Sequence, residues 1–214
     1  MSNATRTPKR ADSSSIPWGT EPAGRSVPPS RRLLTSLLGA TAAVLLLANA
    51  TTLWAQKKPP ATKFELTTSS FTSGGNIPRQ STCEGEDISP ALAWTEPPPG
   101  TQSLALIMDD PDAPMGTFVH WVVYNLPAAA RQLPDHVPRK DDLAGGGAQG
   151  RNDFPATGYG GPCPPPGKPH RYFFKLYALD SKLNLKAGIG KRDVEQAMKG
   201  HVLAEAQLMG RYGR

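Results

Sequence analysis

The sequence predicts a mainly β fold, with sheets packed on one another and one short helix near the end. Three observations predict it. From Lys63 onward the chain breaks into short runs rich in aromatic, β-branched or alternating residues; the runs stop at Pro-, Gly- or Asn-containing turns; and a single segment carries apolar residues at helical spacing. The length of 214 residues is ample for one domain with a substantial core.

The first expected strand is 64–69, FELTTS, which alternates and is followed by the turn signal Asn76-Ile77-Pro78. ALAWT at 91–95 stops before Pro97-Pro98-Pro99-Gly100, and SLALIMD at 103–109 stops at Asp110-Pro111. FVHWVVYNL at 118–126 is expected to be central, with Trp121 and Val123 on a buried face, Trp121 serving as a structural anchor. YFFKLYAL closes the strand 171–179, and VLAEAQLMG forms the last, 202–210. Between them, 192–199 places Val194, Ala197 and Met198 on one helical face, with Gly190 ahead of it and Gly200 as its stop.

The amino-terminal third reads differently. Residues 1–30, rich in Pro, Ser and Arg, lack periodicity and read as a disordered extension. Arg31 and Arg32 then precede an uncharged stretch, 33–55, that ends in small residues. This is the pattern of a signal peptide cleaved after Ala50 or Ala55, or of an uncleaved membrane anchor. Either way the remainder is exported, periplasmic or secreted, with 56–62 as a linker and 63–214 as the folded domain. Six basic residues against Asp12 and Glu21 in the first 55 positions supply +4 of the formal +6 charge, leaving +2 for the rest. That balance argues against a nucleic-acid partner.

Two cysteines, Cys83 and Cys163, lie in the exported part. An even pair in an oxidising compartment points to a disulfide, while two unpaired small hydrophobes are the alternative. Neither a zinc ribbon nor a CxxC motif is possible with this count, and no cofactor or metal is expected. Gly145-Gly146-Gly147-Ala148-Gln149-Gly150 satisfies a literal GxGxxG, but its flanks provide neither the strand nor the helix a dinucleotide site requires, so it reads as a loop.

Two segments carry candidate chemistry. In Met108–Trp121, Asp109 and Asp110 end one strand, Asp112 sits in the bend, and His120 follows near the start of the next. Period-two alternation places His120 on the side of Val122 and Tyr124. Carboxylates beside imidazoles, with glycine N–H groups and a Tyr hydroxyl, make a site for a small anion such as phosphate. The other reading is Asx-type capping of the turn around a core histidine. The second segment, from Tyr159 through the Pro/Gly string to His170, Arg171 and Tyr172, reads as a rigid pocket wall with His170 at the mouth of a strand.

The blocks Asp110-Pro-Asp112-Ala-Pro114, His120-Trp-Val-Val-Tyr-Asn125-Leu-Pro127 and Gly161-Pro-Cys163-Pro-Pro-Pro-Gly-Lys-Pro-His170-Arg171-Tyr172 together resemble the signatures of the phosphatidylethanolamine-binding protein family. Within it the chain is similar to the bacterial Raf-kinase-inhibitor-like branch, which shares Cys83-Glu-Gly-Glu-Asp-Ile-Ser-Pro90 and Gly150-Arg-Asn-Asp-Phe154. The resemblance implies two antiparallel sheets in a Greek-key β-sandwich with one or two short helices and an anion-binding cavity at one end. It places Asp110, Asp112, His120, His170 and Tyr172 in that cavity, with Gly161 and Pro164 in its wall; Arg171, which points away from His170 by strand alternation, reads as structural, paired with an acid such as Asp112. Departures from eukaryotic members are a Gly-rich insertion before Arg151 and an end at Arg214 without their C-terminal helix.

The resulting expectation is an exported ligand-binding or regulatory protein that holds a small anion, such as phosphate or a phosphoryl head group, without hydrolysing it. It could also act as an inhibitor of a kinase or protease, with a homodimer as a further option and the membrane reached only through an uncleaved N-terminal segment. The alternative is a metal- or Asp/His-dependent hydrolase using the same residues. No Ser or Cys nucleophile stands at a recognisable elbow.

Overall fold

A computed structural model describes residues 63–214; the extension, export segment and linker lie outside the described residues. The strands arrange into two antiparallel sheets. The smaller has the order β1-β2-β5, from Leu66–Thr67, Leu92–Trp94 and Gln132–Leu133. The larger has the order β6-β4-β3-β7-β8, from Ala148–Gln149, Phe118–Pro127, Ser103–Asp110, His170–Leu179 and Val202–Tyr212. Read from β7, the order β7-β3-β4-β6 is three successive strands with a fourth returning beside the first, which is the Greek key.

The large sheet is buried on both faces. One face packs Leu104, Leu106, Met108, Trp121, Val123, Phe174 and Leu176 against Leu66, Leu92, Trp94 and Leu133 of the small sheet. The other packs Ala105, Ile107, Val122 and Tyr124 against Val194 and Met198 of α1, Lys191–Met198. Two covered faces explain why all eight residues of β3 are buried and why its sequence shows no clean alternation.

The central strand is β3 rather than β4, because β4 has only the two-residue β6 on its outer side. That edge strand occupies part of the Gly-rich segment expected to be loop. Gly146 and Gly147 turn at φ 91° and 98°, where a side chain would be strained, and deliver Ala148 and Gln149 against β4. Gln149 is fully buried: its Oε1 accepts Trp121 Nε1–H at 2.8 Å and its Nε2 donates to the carbonyls of Pro138 and Lys140. Neither β5 nor β6 is long enough to leave a period in sequence.

Alternation fails in β4 at a position that matters. Met108 pairs with Trp121 but Asp109 pairs with Val119, so His120 is an extra residue, a β-bulge. Val119, Val122 and Tyr124 face α1, whereas Trp121 and Val123 face the small sheet. The expectation that His120 shares a side with Val122 and Tyr124 is therefore incorrect. The bulge turns its ring toward Tyr172, 5.1 Å away between centroids, on the Trp121 side.

Candidate functional site

At the end of the large sheet, where β3 stops and β7 starts, the chain opens into a cleft of about 500 Å³. The turn 113–117 forms one side and Pro164 and Pro165 another, with Asp110, His120, His170 and Tyr172 between them. Phe118, Asp153 and Phe154 complete it, and Met115 stands fully exposed at its lip. Among the described residues no lysine or arginine lines this cleft.

Asp110 is the polar hub. Its Oδ1 accepts the N–H of Asp112 at 2.8 Å, so it shapes the turn that follows it. Its Oδ2 is 2.7 Å from Nδ1 of His170. An ionised carboxylate can only accept, so Nδ1 carries the hydrogen and Nε2 is the nitrogen left for the cleft.

The bulged His120 is held differently. Its Nδ1 lies 2.7 Å from the Gly160 carbonyl, which again makes Nδ1 the donor. Its ring is caged by Phe118, Phe154 and Tyr172 at 5.1, 5.5 and 5.1 Å. Burial lowers its pKa below the usual histidine value, outweighing the Gly160 contact and the carboxylates of Asp110 and Asp153, so the ring is neutral at pH 7. Tyr172 is fully buried, and its hydroxyl lies beside the Asp110 carboxylate without meeting full hydrogen-bond geometry to any partner. Burial first, then the nearby charge of Asp110, raises its pKa, which keeps it a donor.

Other expected residues are placed elsewhere. Asp112 does not line the cleft: its carboxylate accepts Arg171 Nε and Nη2 at 2.9 and 2.7 Å as well as the Arg171 backbone N–H. The Arg171 hydrogen bonds pull the Asp112 pKa down to about 2, with burial opposing. Arg171 thus ties the 110–112 turn to the start of β7.

Gly161 is not a ligand-facing amide either. Its N–H donates to Asp87 Oδ1 at 2.6 Å, and a Cβ there would lie 2.4 Å from the Ser81 carbonyl, so only glycine lets the two loops meet. The neighbouring Gly160 N–H donates to the His120 carbonyl. Cys83 and Cys163 are bonded, with Cα atoms 5.4 Å apart, and pin the proline wall to that same loop.

Sequence reasoning missed Asp153, Phe154 and Phe118. The block Gly150-Arg-Asn-Asp-Phe154 carries part of the family resemblance, but its sequence alone does not point to the cleft. The buried Asn152 organises it, its Oδ1 accepting the N–H groups of Phe154 and Ala156, while Asp153 Oδ2 accepts the Val119 N–H at 2.7 Å beside the bulge. An Asn-Asp pair next to an aromatic was the available signal for a shaped turn.

Chemically, the cleft combines one hydroxyl donor without a well-formed hydrogen bond, two imidazole Nε2 atoms and a carboxylate hub within an apolar rim. Among the described residues no three His, Cys, Asp or Glu side chains converge as a metal would need.

Residues 67–213 match the family described as Phosphatidylethanolamine-binding protein. The chain is 52% identical over 149 residues to a UPF0098 protein of Methanothermobacter thermautotrophicus, covering 70% of this chain and 98% of that one. It is 50% identical over 152 residues to a UPF0098 protein of Aquifex aeolicus, covering 70% and 88%. A solved structure of a phosphatidylethanolamine-binding protein homologue from Chlamydia trachomatis is similar at 38% identity and a TM-score of 0.65, over 71% of this chain and 97% of that one. Escherichia coli YbcL, described as a new member of the mammalian family, is similar at 35% identity and a TM-score of 0.66, over 72% and 99%.

Proposed function

Since the chain belongs to the phosphatidylethanolamine-binding protein family, we propose that it is an exported binding protein whose cleft holds a small anion of the phosphate or phosphoryl head-group class without hydrolysing it. Family membership supports a ligand-binding or regulatory role in general, and the chemistry of the cleft supports the anion. Export is supported by the charged-then-apolar pattern of 31–55 and by the Cys83–Cys163 disulfide, which persists in an oxidising compartment.

The observation that carries the reading is the Tyr172 hydroxyl. A buried donor without a well-formed hydrogen bond costs up to roughly 1–3 kcal/mol, and its location in the cleft beside two imidazoles gives it a use once an acceptor better placed than Asp110 enters. When protonated, His170 adds a second donor: Nδ1–H stays on Asp110 while Nε2–H reaches the ligand.

Calorimetric titration of inorganic phosphate into wild type, Tyr172→Phe and His170→Ala at about pH 6 tests it. Tyr172→Phe is expected to weaken binding about tenfold while leaving unliganded stability unchanged or raised by up to about 1 kcal/mol. Equal affinities in all three proteins would remove the anion from this cleft. Stoichiometric zinc uptake lost in His170→Ala would favour the hydrolase reading instead.

A further inference from the structure

The two imidazoles present different faces to a ligand. At His120 the Gly160 carbonyl takes the Nδ1 hydrogen at 2.7 Å, so the neutral ring has a lone pair, not a hydrogen, on Nε2. A second proton on that ring is opposed by its burial among Phe118, Phe154 and Tyr172. The ionisable groups around it are Asp110 from β3, Asp153 from the loop after β6, and His170 and Tyr172 from β7. Two of these are carboxylates and one is a hydroxyl donor. A fully ionised anion would meet a lone pair on Nε2 and two negative charges, with no lysine or arginine in the cleft lining to offset them.

We propose that the cleft selects an anion carrying one proton of its own, a phosphate or phosphonate monoester as its monoanion, whose P–OH donates to Nε2 of His120 while its bare oxygens accept from Tyr172 and from protonated His170. The inference rests on the anion reading above and adds the protonation state that reading leaves open. It excludes two chemistries with similar shape: monoester dianions, which have no hydrogen to donate, and sulfate esters, which have the same single charge but no hydrogen either. Charge and shape are thus matched between a phosphate monoester monoanion and a sulfate ester, and the two differ in one hydrogen bond.

Methyl phosphate and methyl sulfate make that pair. Methyl phosphate passes from one negative charge to two around its second pKa, about 6 for such monoesters, whereas methyl sulfate keeps one charge throughout. Titrated calorimetrically into the disulfide-bonded domain at about pH 5, methyl phosphate is expected to bind about tenfold or more tightly than methyl sulfate. Above about pH 6 its affinity should fall about tenfold per pH unit as the monoanion is depleted. The profile of methyl sulfate reports the part of any pH dependence that belongs to the protein. In His120→Gln the side-chain amide can offer a donor, so the two ligands should come within about threefold of each other.

Equal binding of the two ligands by wild type at about pH 5 would overturn the proton requirement and leave the anion site standing. Tighter binding of methyl phosphate at about pH 7.5 than at pH 5 would overturn it in favour of the dianion. Failure of both ligands to bind at any pH would sink the anion reading itself, and this inference with it. Unchanged discrimination in folded His120→Gln would show that another group reads the proton. Should that variant not fold, the two ligands on wild type decide alone.

Discussion

Asp109 and Asp110 are neighbours in β3, both buried, yet they face opposite sides of one sheet and meet opposite fates. Asp109 looks toward α1, where its Oδ2 accepts Lys175 Nζ at 3.0 Å and Lys191 Nζ at 2.6 Å. Two full cations hold this one carboxylate, and Lys191 is the first residue of α1, so the cluster fastens the helix to the sheet. Asp110 looks toward the cleft and has one imidazole and one backbone amide, beside a hydroxyl with no well-formed hydrogen bond. The same residue type in adjacent positions is paired with two lysines on the structural face, where its Oδ1 is buried without a hydrogen bond, and with an imidazole and a backbone amide on the other. A carboxylate here becomes part of a site through the partners that meet it: lysines fix Asp109 to the scaffold, whereas an imidazole lets Asp110 orient a group that faces the cleft.

The two faces also differ in how they are held. Near Asp110 the packing is aromatic: Trp121 meets Tyr159 edge-on at 5.5 Å, and Phe118 meets Phe154 at 4.7 Å. The largest effect is therefore expected from Trp121→Ala, about 3–5 kcal/mol in denaturant melts, because Trp121 is fully buried and holds Gln149. A loss below about 1 kcal/mol would break the contrast by showing that aromatic packing does not carry the cleft face.

Next in size, Asp109→Asn should cost about 2–3 kcal/mol. Truncating a buried charge cluster can cost more, but here both lysines retain some exposure and can rehydrate. Phosphate affinity should stay unchanged. Asp110→Asn should show the reverse balance, about 1 kcal/mol in melts and about tenfold in phosphate affinity, through a misoriented His170. Measured together, the two variants sharpen the comparison if stability and binding separate, and erase it if both variants lose both.

The smallest effect is that of pH on His120. Its pKa is lowered on folding, so on acidification from the ordinary histidine value, about 6.5, the unfolded chain takes up a proton that the folded one resists. Stability contributed by the neutral ring is thus present above about pH 6.5 and is lost as pH falls toward the depressed folded value. Between about pH 7.5 and 6 the loss should stay under about 1 kcal/mol, and His120→Gln should remove it. Asp112, held down to about 2 by Arg171, contributes in the same direction but in a separate window, above its ordinary value of 3.8 and lost below it. A melt series with no step near pH 6.5 in wild type would mean that folding leaves the His120 pKa unshifted, which would remove the burial argument for its neutral ring.

What the sequence by itself determined is what short-range physics controls. The long strands, the helix containing Val194 and Met198, and the Pro and Gly turns follow from dihedral preference and side-chain period, and the ordered motif blocks pointed to the family. The residues at Asp110, His170, Tyr172 and Pro164 were legible as one group because two motif blocks carried them. Tertiary structure alone decided which groups in the cleft remain free. The His120 bulge arises from a ladder mismatch with β3 and has no local signature; it turns the ring away from the face that alternation assigns. Asp112 is taken by Arg171, 59 positions away, and the Gly161 N–H by Asp87, 74 positions away, so neither is left to face the cleft. Asp109 and Asp110 are indistinguishable in sequence, and partners 60 to 82 positions distant separate them. Local periodicity governs where a side chain starts, but the hydrogen bonds that consume or spare its polar atoms are long-range and come into being only when the sheets close.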